Sequence, residues 1–205
     1  MNSTWIAAIV VITIISVLSA FYVKQEQEKI SDQLTKMLLN KQYAEFDKMV
    51  ESSKVKRYIE PFNLDFLKLN AAMMLDNAQQ VHHQFDYILS KSLTEKQLYS
   101  VCIRTMDWCI ANDDKKYCGK CLNQINRLKG YEKTKELTAV IYRVVIEQKS
   151  TDLNDLLNKA DQLPNQQRVI YEYLISMIYE QLGNKEASKK YCELALKDTS
   201  SQQDR

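Results

Sequence analysis

From Trp5 to Val23 the chain reads WIAAIVVITIISVLSAFYV, 19 residues without a charge. A helix of that length at ~1.5 Å rise per residue spans about 28 Å, close to the ~30 Å hydrocarbon core of a bilayer. Trp5 at one end and Phe21-Tyr22 at the other suit the two membrane interfaces. The hydroxyls of Thr13, Ser16 and Ser19 can bond back to the helix's own carbonyls. Residues 1–23 are therefore expected to form a transmembrane anchor. A cleaved signal peptide is the competing reading. Against it, no Lys or Arg precedes the run, and its 19 residues exceed the roughly 7–15 usual for a signal core. Lys24, Lys29, Lys36 and Lys41 follow the run, so the excess of positive residues places the rest of the chain on the cytoplasmic side. The opposite topology, a domain outside the cell on an uncleaved signal, is the alternative.

Beyond the apolar run the pattern turns amphipathic. Ile30, Leu34, Met37 and Leu38 share one helical face, and no Gly or Pro interrupts Trp5 to Asn40. The anchor is expected to continue as a stalk, with a coiled-coil dimer through the same face as the competing reading. Short polar breaks then recur at Lys41-Gln42, Asp76-Asn77, Asn112-Asp113, Gln148-Lys149 and Gly183-Asn184, spaced 35, 36, 36 and 35 residues apart. Apolar pairs one turn apart follow four of them: Phe46 and Val50, Val81 and Phe85, Tyr117 and Cys121, Leu153 and Leu157. In the last unit the same slots hold Ser188 and Cys192. Pro61 and Pro164 stand at helix starts, Thr94 to Gln97 fits a capping box, and Gly130 and Gly183 suit helix ends. Helices are predicted near 5–40, 43–53, 61–75, 95–111, 114–128, 131–148, 151–162, 165–182 and 184–197.

The last unit carries Tyr179, the turn at Gly183-Asn184, Ala187, Tyr191 and Ala195-Leu196, with Ala160 the matching small residue one unit earlier. In these residues and in its period the sequence resembles the tetratricopeptide repeat family over roughly residues 30–200. It departs from the family pattern where Lys41, Asp76, Asn112 and Gln148 replace the turn glycine, and where Gln124 or Ile88 replaces the small residue. Other α-solenoids or an irregular bundle are the alternatives. The resemblance implies a right-handed α-solenoid of stacked helix hairpins over 24–198, with a disordered tail at 199–205. It also implies a concave face lined by first helices. Carried onto this chain, that face takes Phe66, Asn70, Met73 and Met74, then Tyr99, Cys102, Met106 and Cys109, then Lys135, Thr138 and Tyr142, then Tyr173, Met177 and Glu180. A surface rich in Tyr and Met suits an extended or helical peptide segment. The opposing reading is that this stripe packs against a neighbouring helix.

Composition narrows the classes further. The 205 residues include only 3 Gly and 2 Pro, so turn-rich β folds and glycine-loop nucleotide sites are nearly excluded. Lys and Arg total 28 against 26 Asp and Glu, which leaves no global field for nucleic acid. The densest basic stretch, Lys115 to Lys135, is diluted by Asp113, Asp114, Glu132 and Glu136 and reads as a solvated helical face. Mean hydropathy is −0.39 despite the N-terminal run, so the remainder is polar overall.

Four of the five cysteines, Cys102, Cys109, Cys118 and Cys121, lie within twenty residues, two on each helix of one expected hairpin. Free core thiols, a disulfide and a zinc site are all open readings. The Cys118-Gly119-Lys120-Cys121 segment has redox-motif spacing, but no strand precedes it. His82 and His83, the only histidines, read as a solvated face; His82 and Asp86 lack a third metal ligand.

The expected protein is thus all-α: an N-terminal transmembrane helix feeding a tetratricopeptide-like solenoid, single-pass, with its domain on the cytoplasmic side. It is expected to be a non-catalytic scaffold that binds a protein or peptide partner. No cofactor, metal or nucleic acid is expected, a homo-oligomer is allowed, and the bilayer is its second partner. The alternative function is a thiol-redox or zinc-dependent switch at the four clustered cysteines.

Overall fold

The structure, a computed structural model, describes the backbone of residues 3–200 and the side chains of residues 20–164 and 167–198. Among these residues it is all-helical, without strands. The chain divides into two compact units, one through Ser92 and one from Leu93. The first holds α1 (Ser3–Leu39), α2 (Tyr43–Val50), α3 (Ser53–Tyr58), α4 (Pro61–Met74) and α5 (Ala78–Leu89). The second holds α6 (Glu95–Ala111), α7 (Lys115–Arg127), α8 (Glu132–Ile141) running into a π turn at Tyr142–Ile146, α9 (Leu153–Gln162), α10 (Asn165–Gln181) and α11 (Lys185–Ser200). The repeat-like arrangement of helices is consistent with an α-solenoid. Two helices lie outside the predicted spans: α5, and the short α3 capped by the Ser52 hydroxyl on the Val55 amide at 3.3 Å.

The expected membrane span is corrected. Among the described residues no helix is long and apolar enough to cross a membrane. The expected span 5–23 falls mostly on residues 1–19, which lie outside the described side chains, as residues 201–205 of the expected tail lie outside the described residues. Where α1 is described in full it is amphipathic. Glu26 forms ion pairs with Lys29 at 3.3 Å and with Lys54 of α3 at 2.8 Å. Ile30, Leu34 and Leu38 are buried against Phe46, Val50, Val55, Ile59, Leu64 and Ala71. The face expected to serve a stalk or coiled coil is therefore covered by α2, α3 and α4 of the same chain. Neither the single-pass membrane placement nor the cytoplasmic assignment built on it is supported.

Five joints carry the chain's periodicity. Lys41, Asp76, Asp113 and Gln148 have φ of 58°, 51°, 51° and 54°, and Gly183 has 75°, at spacings of 35, 37, 35 and 35 residues. The residue after four of them donates its N–H to the carbonyl five positions back, closing the helix end. These bonds are Gln42 to Met37 at 2.8 Å, Asn77 to Ala72 at 3.1 Å, Asp114 to Cys109 at 2.8 Å and Asn184 to Tyr179 at 2.9 Å. In three joints the donor's side chain also caps the next helix. Asn77, Asp114 and Asn184 accept through Oδ1 from Gln80, Tyr117 and Ala187, each at 3.1 Å. One residue thus ends one helix and starts the next. The third joint turns at Asp113, one residue later than a turn centred on Asn112.

The fourth joint is different because α8 ends in the π turn. Lys149 donates to Arg143, six positions back, at 2.9 Å. The wider turn is pinned from outside: Gln181 Nε2 donates to the Val144 carbonyl at 2.9 Å, and Arg143 Nε and Nη2 donate to Asp152 at 2.8 and 2.7 Å. Tyr142 lies over Gly119, where a Cβ would come within 3.4 Å of its hydroxyl oxygen. The core below gathers Val140, Val144, Leu156, Ala160, Leu174, Ile175 and Ile178.

At the C-terminal hairpin Arg168 Nε reaches both Glu172 Oε1 at 3.2 Å and Asp198 Oδ2 at 3.1 Å. Glu172 is 3% exposed, and its Oε2 has no hydrogen-bond partner. Burial, with the Asp198 charge, raises its pKa above the ordinary 4.5 against the opposing pull of Arg168.

Two outcomes follow. Asp76→Gly and Asp113→Gly should each raise stability by about 0.5–1 kcal/mol in thermal or urea melts, because glycine occupies a left-handed joint without Cβ strain. Glu172→Gln should raise the melting temperature at neutral pH. A carboxyl whose folded pKa lies above its unfolded value destabilises the fold as pH rises through that interval. The advantage of the variant should therefore disappear below about pH 4.5, the ordinary value.

Candidate functional site

The second unit presents three joined depressions. The first, about 360 Å³, lies between α6, α8 and α10 and is lined by Tyr99, Ile103, Met106, Asp107, Ile110, Lys133, Thr134, Leu137, Thr138, Ile141 and Tyr171. The second, about 480 Å³, shares Lys133, Leu137 and Tyr171 with it and extends past Glu136, Val140, Lys159 and Leu163 to Gln167 and Ile170. The third, about 360 Å³, shares Gln167 and Ile170 with the second and ends among Val169, Tyr173, Cys192, Ala195 and Leu196. The shared walls make one track along α6, α8, α10 and α11.

Helical spacing builds this track. Ile103, Met106, Asp107 and Ile110 recur on one face of α6, as Thr134, Leu137, Thr138 and Ile141 do on α8. Tyr99 stacks on Tyr131 with ring centroids 4.8 Å apart, fixing the start of the track. The Thr94–Gln97 capping box sets where α6 begins, with the Gln97 amide donating to Thr94 Oγ1 at 3.3 Å and the Thr94 amide donating to Gln97 Oε1 at 2.9 Å. Thr138 spends its hydroxyl on the Thr134 carbonyl at 2.8 Å, so the α8 wall offers a methyl group. Lys159 and Glu136 pair with each other across the middle depression. Tyr173 and Leu196 stand 51% and 65% exposed at the far end.

The sequence-derived surface residues separate in space. Tyr99, Met106 and Thr138 line the first depression, and Tyr173 lines the third. Lys135 is half-buried and paired with Glu132 at 2.9 Å, Tyr142 covers Gly119, and Met177 packs on the core beside Ile178. Glu180 is exposed. Phe66, Asn70 and Met73 belong to the first unit. Phe66 stacks on Phe62 at 5.9 Å and lines a separate groove of about 410 Å³ with Gln27, Ser31 and Tyr58. Asn70 donates to the Phe66 carbonyl at 2.8 Å, Met73 is buried, and Met74 is exposed. Sequence reasoning missed Ile103, Asp107, Ile110, Leu137, Ile141, Tyr171, Ile170 and Leu196. The apolar spacings of Ile103 with Ile110 and of Leu137 with Ile141 carry the signal that finds most of them.

Cys102 and Cys109 lie instead on the face of α6 toward α7, where Cys118 and Cys121 face them. All four are free and buried. The Cys109 and Cys121 thiols hydrogen-bond to each other, which with burial drives the Cys121 pKa upward. Burial pushes Cys102 and Cys118 up to about 12, with Cys109 and Asp114 adding to the rise at Cys118. This is the reverse of the lowered pKa a nucleophilic thiolate needs. Thr105, on the same α6 face, is fully buried with its hydroxyl unpartnered. Among the described residues no group of three or more His, Cys, Asp or Glu side chains is placed to hold a metal ion. His82 is half-buried and His83 exposed. In the basic stretch Lys120 lies over the Tyr117 ring at 4.1 Å and Lys116 at 5.8 Å.

Thiol kinetics check this layer. With a disulfide reagent at pH 8, Cys192 should react promptly and the four buried thiols only at the rate of hairpin opening, becoming equally fast in denaturant. Prompt reaction of all five in the native protein would contradict the burial described.

No family model matches the chain, nor does any curated protein or solved structure.

Proposed function

We propose that this chain is a non-catalytic binding module whose second unit holds a peptide segment of a partner protein along the α6–α8–α10–α11 track. One observation carries the reading: three depressions of about 360, 480 and 360 Å³ adjoin in series through shared lining residues. Isolated dents fit single side chains, whereas a joined series fits successive side chains of an extended or helical segment. The walls are Tyr, Ile, Leu and Met, which supply contact area and adaptable packing. The period of the joints supports the tetratricopeptide-like reading of the hairpins, in which first helices line the binding surface. The burial of the four clustered thiols and the lack, among the described residues, of a third metal ligand beside His82 and Asp86 support binding over catalysis.

Panning a random 12-residue peptide display library on the full chain tests this. Selected peptides should bind the wild-type protein and lose at least tenfold in affinity on Leu137→Arg, which places a long cation in the wall shared by two depressions. Equal binding to Leu137→Arg, with its helical melt intact, would overturn the reading.

A further inference from the structure

The track has a charge order that specifies its ligand further. Asp107 is the one acidic residue lining the first depression, among Tyr99, Ile103, Met106, Ile110, Leu137, Ile141 and Tyr171. Among the described residues it makes no hydrogen bond or ion pair, and Arg104 acts on it only at longer range. Its neighbours displace water from the carboxylate and raise its pKa, an effect larger than the opposing pull of Arg104. A carboxylate that has already given up part of its hydration, and has no partner, gains more from an arriving cation than a fully solvated one does. Lys133 stands on the wall between the first and second depressions and disfavours a second cation there. In the middle depression Lys159 and Glu136 neutralise each other. The third depression has no charged residue in its lining.

We propose that the track takes a peptide segment with a lysine or arginine at one end, held by Asp107, followed by bulky apolar residues that fill the depressions toward Tyr173 and Leu196. The inference rests on the peptide-binding reading above and adds the chemistry and direction of the ligand. Charge complementarity at Asp107 sets the register, and the apolar depressions supply most of the buried area. The segment is polar at one end and greasy at the other, so it binds in one direction.

The same 12-residue display library separates this inference from the reading beneath it. Against the full-length wild-type chain, enriched peptides should carry Lys or Arg on one consistent side of an apolar run. Against Asp107→Lys that bias should vanish and acidic residues should replace it. A wild-type-selected peptide should lose about tenfold or more in affinity on Asp107→Lys and less on Asp107→Asn. Asp107 is exposed, so neither variant disturbs the core. Peptides without a basic bias that still lose binding on Leu137→Arg would overturn the charge assignment while leaving the groove standing. Recovery of no peptide that Leu137→Arg weakens would overturn both. Thr134→Arg, on the same wall, replaces Leu137→Arg if that variant melts early.

Discussion

The left-handed joint is the constraint from which the architecture follows. A helix of this composition, poor in Gly and Pro, has little in its interior to stop it. At five joints what stops it is a single residue at positive φ, with the following amide folded back on a carbonyl five or six positions earlier. Lys41, Asp76, Asp113 and Gln148 accept that conformation although each carries a Cβ. The conformation costs about 1–2 kcal/mol at each. It is offset because the same turn satisfies carbonyls that would otherwise be orphaned and, at three joints, supplies an Asn or Asp that caps the next helix. Helix length, reversal of direction and the phase of the next apolar stripe are all set at one point.

Phase then divides core from surface. Along α6 two stripes lie side by side. One, with Cys102, Thr105 and Cys109, turns inward to α7; the other, with Tyr99, Ile103 and Ile110 over the buried Met106, lines the track. A helix advances about 100° per residue, so a shift of one position separates a core thiol from a groove wall. The buried thiol layer and the apolar depressions occupy adjacent faces of the same helix.

The period, the all-helical class and most helix spans were legible because they depend on local chemistry: polar breaks, caps and spacing. The capping box at Thr94, Pro61 at the start of α4 and the positive φ at Gly183 all appear where the residues placed them. Short α3 escaped notice because its start depends on one serine hydroxyl. Hydropathy, interfacial aromatics and flanking lysines point to an N-terminal span, whereas the described part of α1 is spent on Ile30, Leu34 and Leu38 in a core that only tertiary packing reveals. The surface residues were only partly legible. Tyr99, Met106, Thr138 and Tyr173 line the track, while Lys135, Tyr142 and Met177 do not, since a register borrowed from a repeat pattern is accurate to about one residue and a helical face tolerates less. Tyr142 instead packs over Gly119, one helix away, a contact that only the tertiary structure reveals.

Leu137 and Tyr171 are walls of two depressions at once, and Gln167 and Ile170 of the next two. A side chain shared in this way cannot change rotamer to suit one neighbour without resizing the other. The sizes of adjacent compartments are therefore mechanically linked. Swinging the Tyr171 ring aside widens one chamber at the expense of the adjacent one, so on the proposed reading neighbouring positions of a peptide would be read together rather than independently.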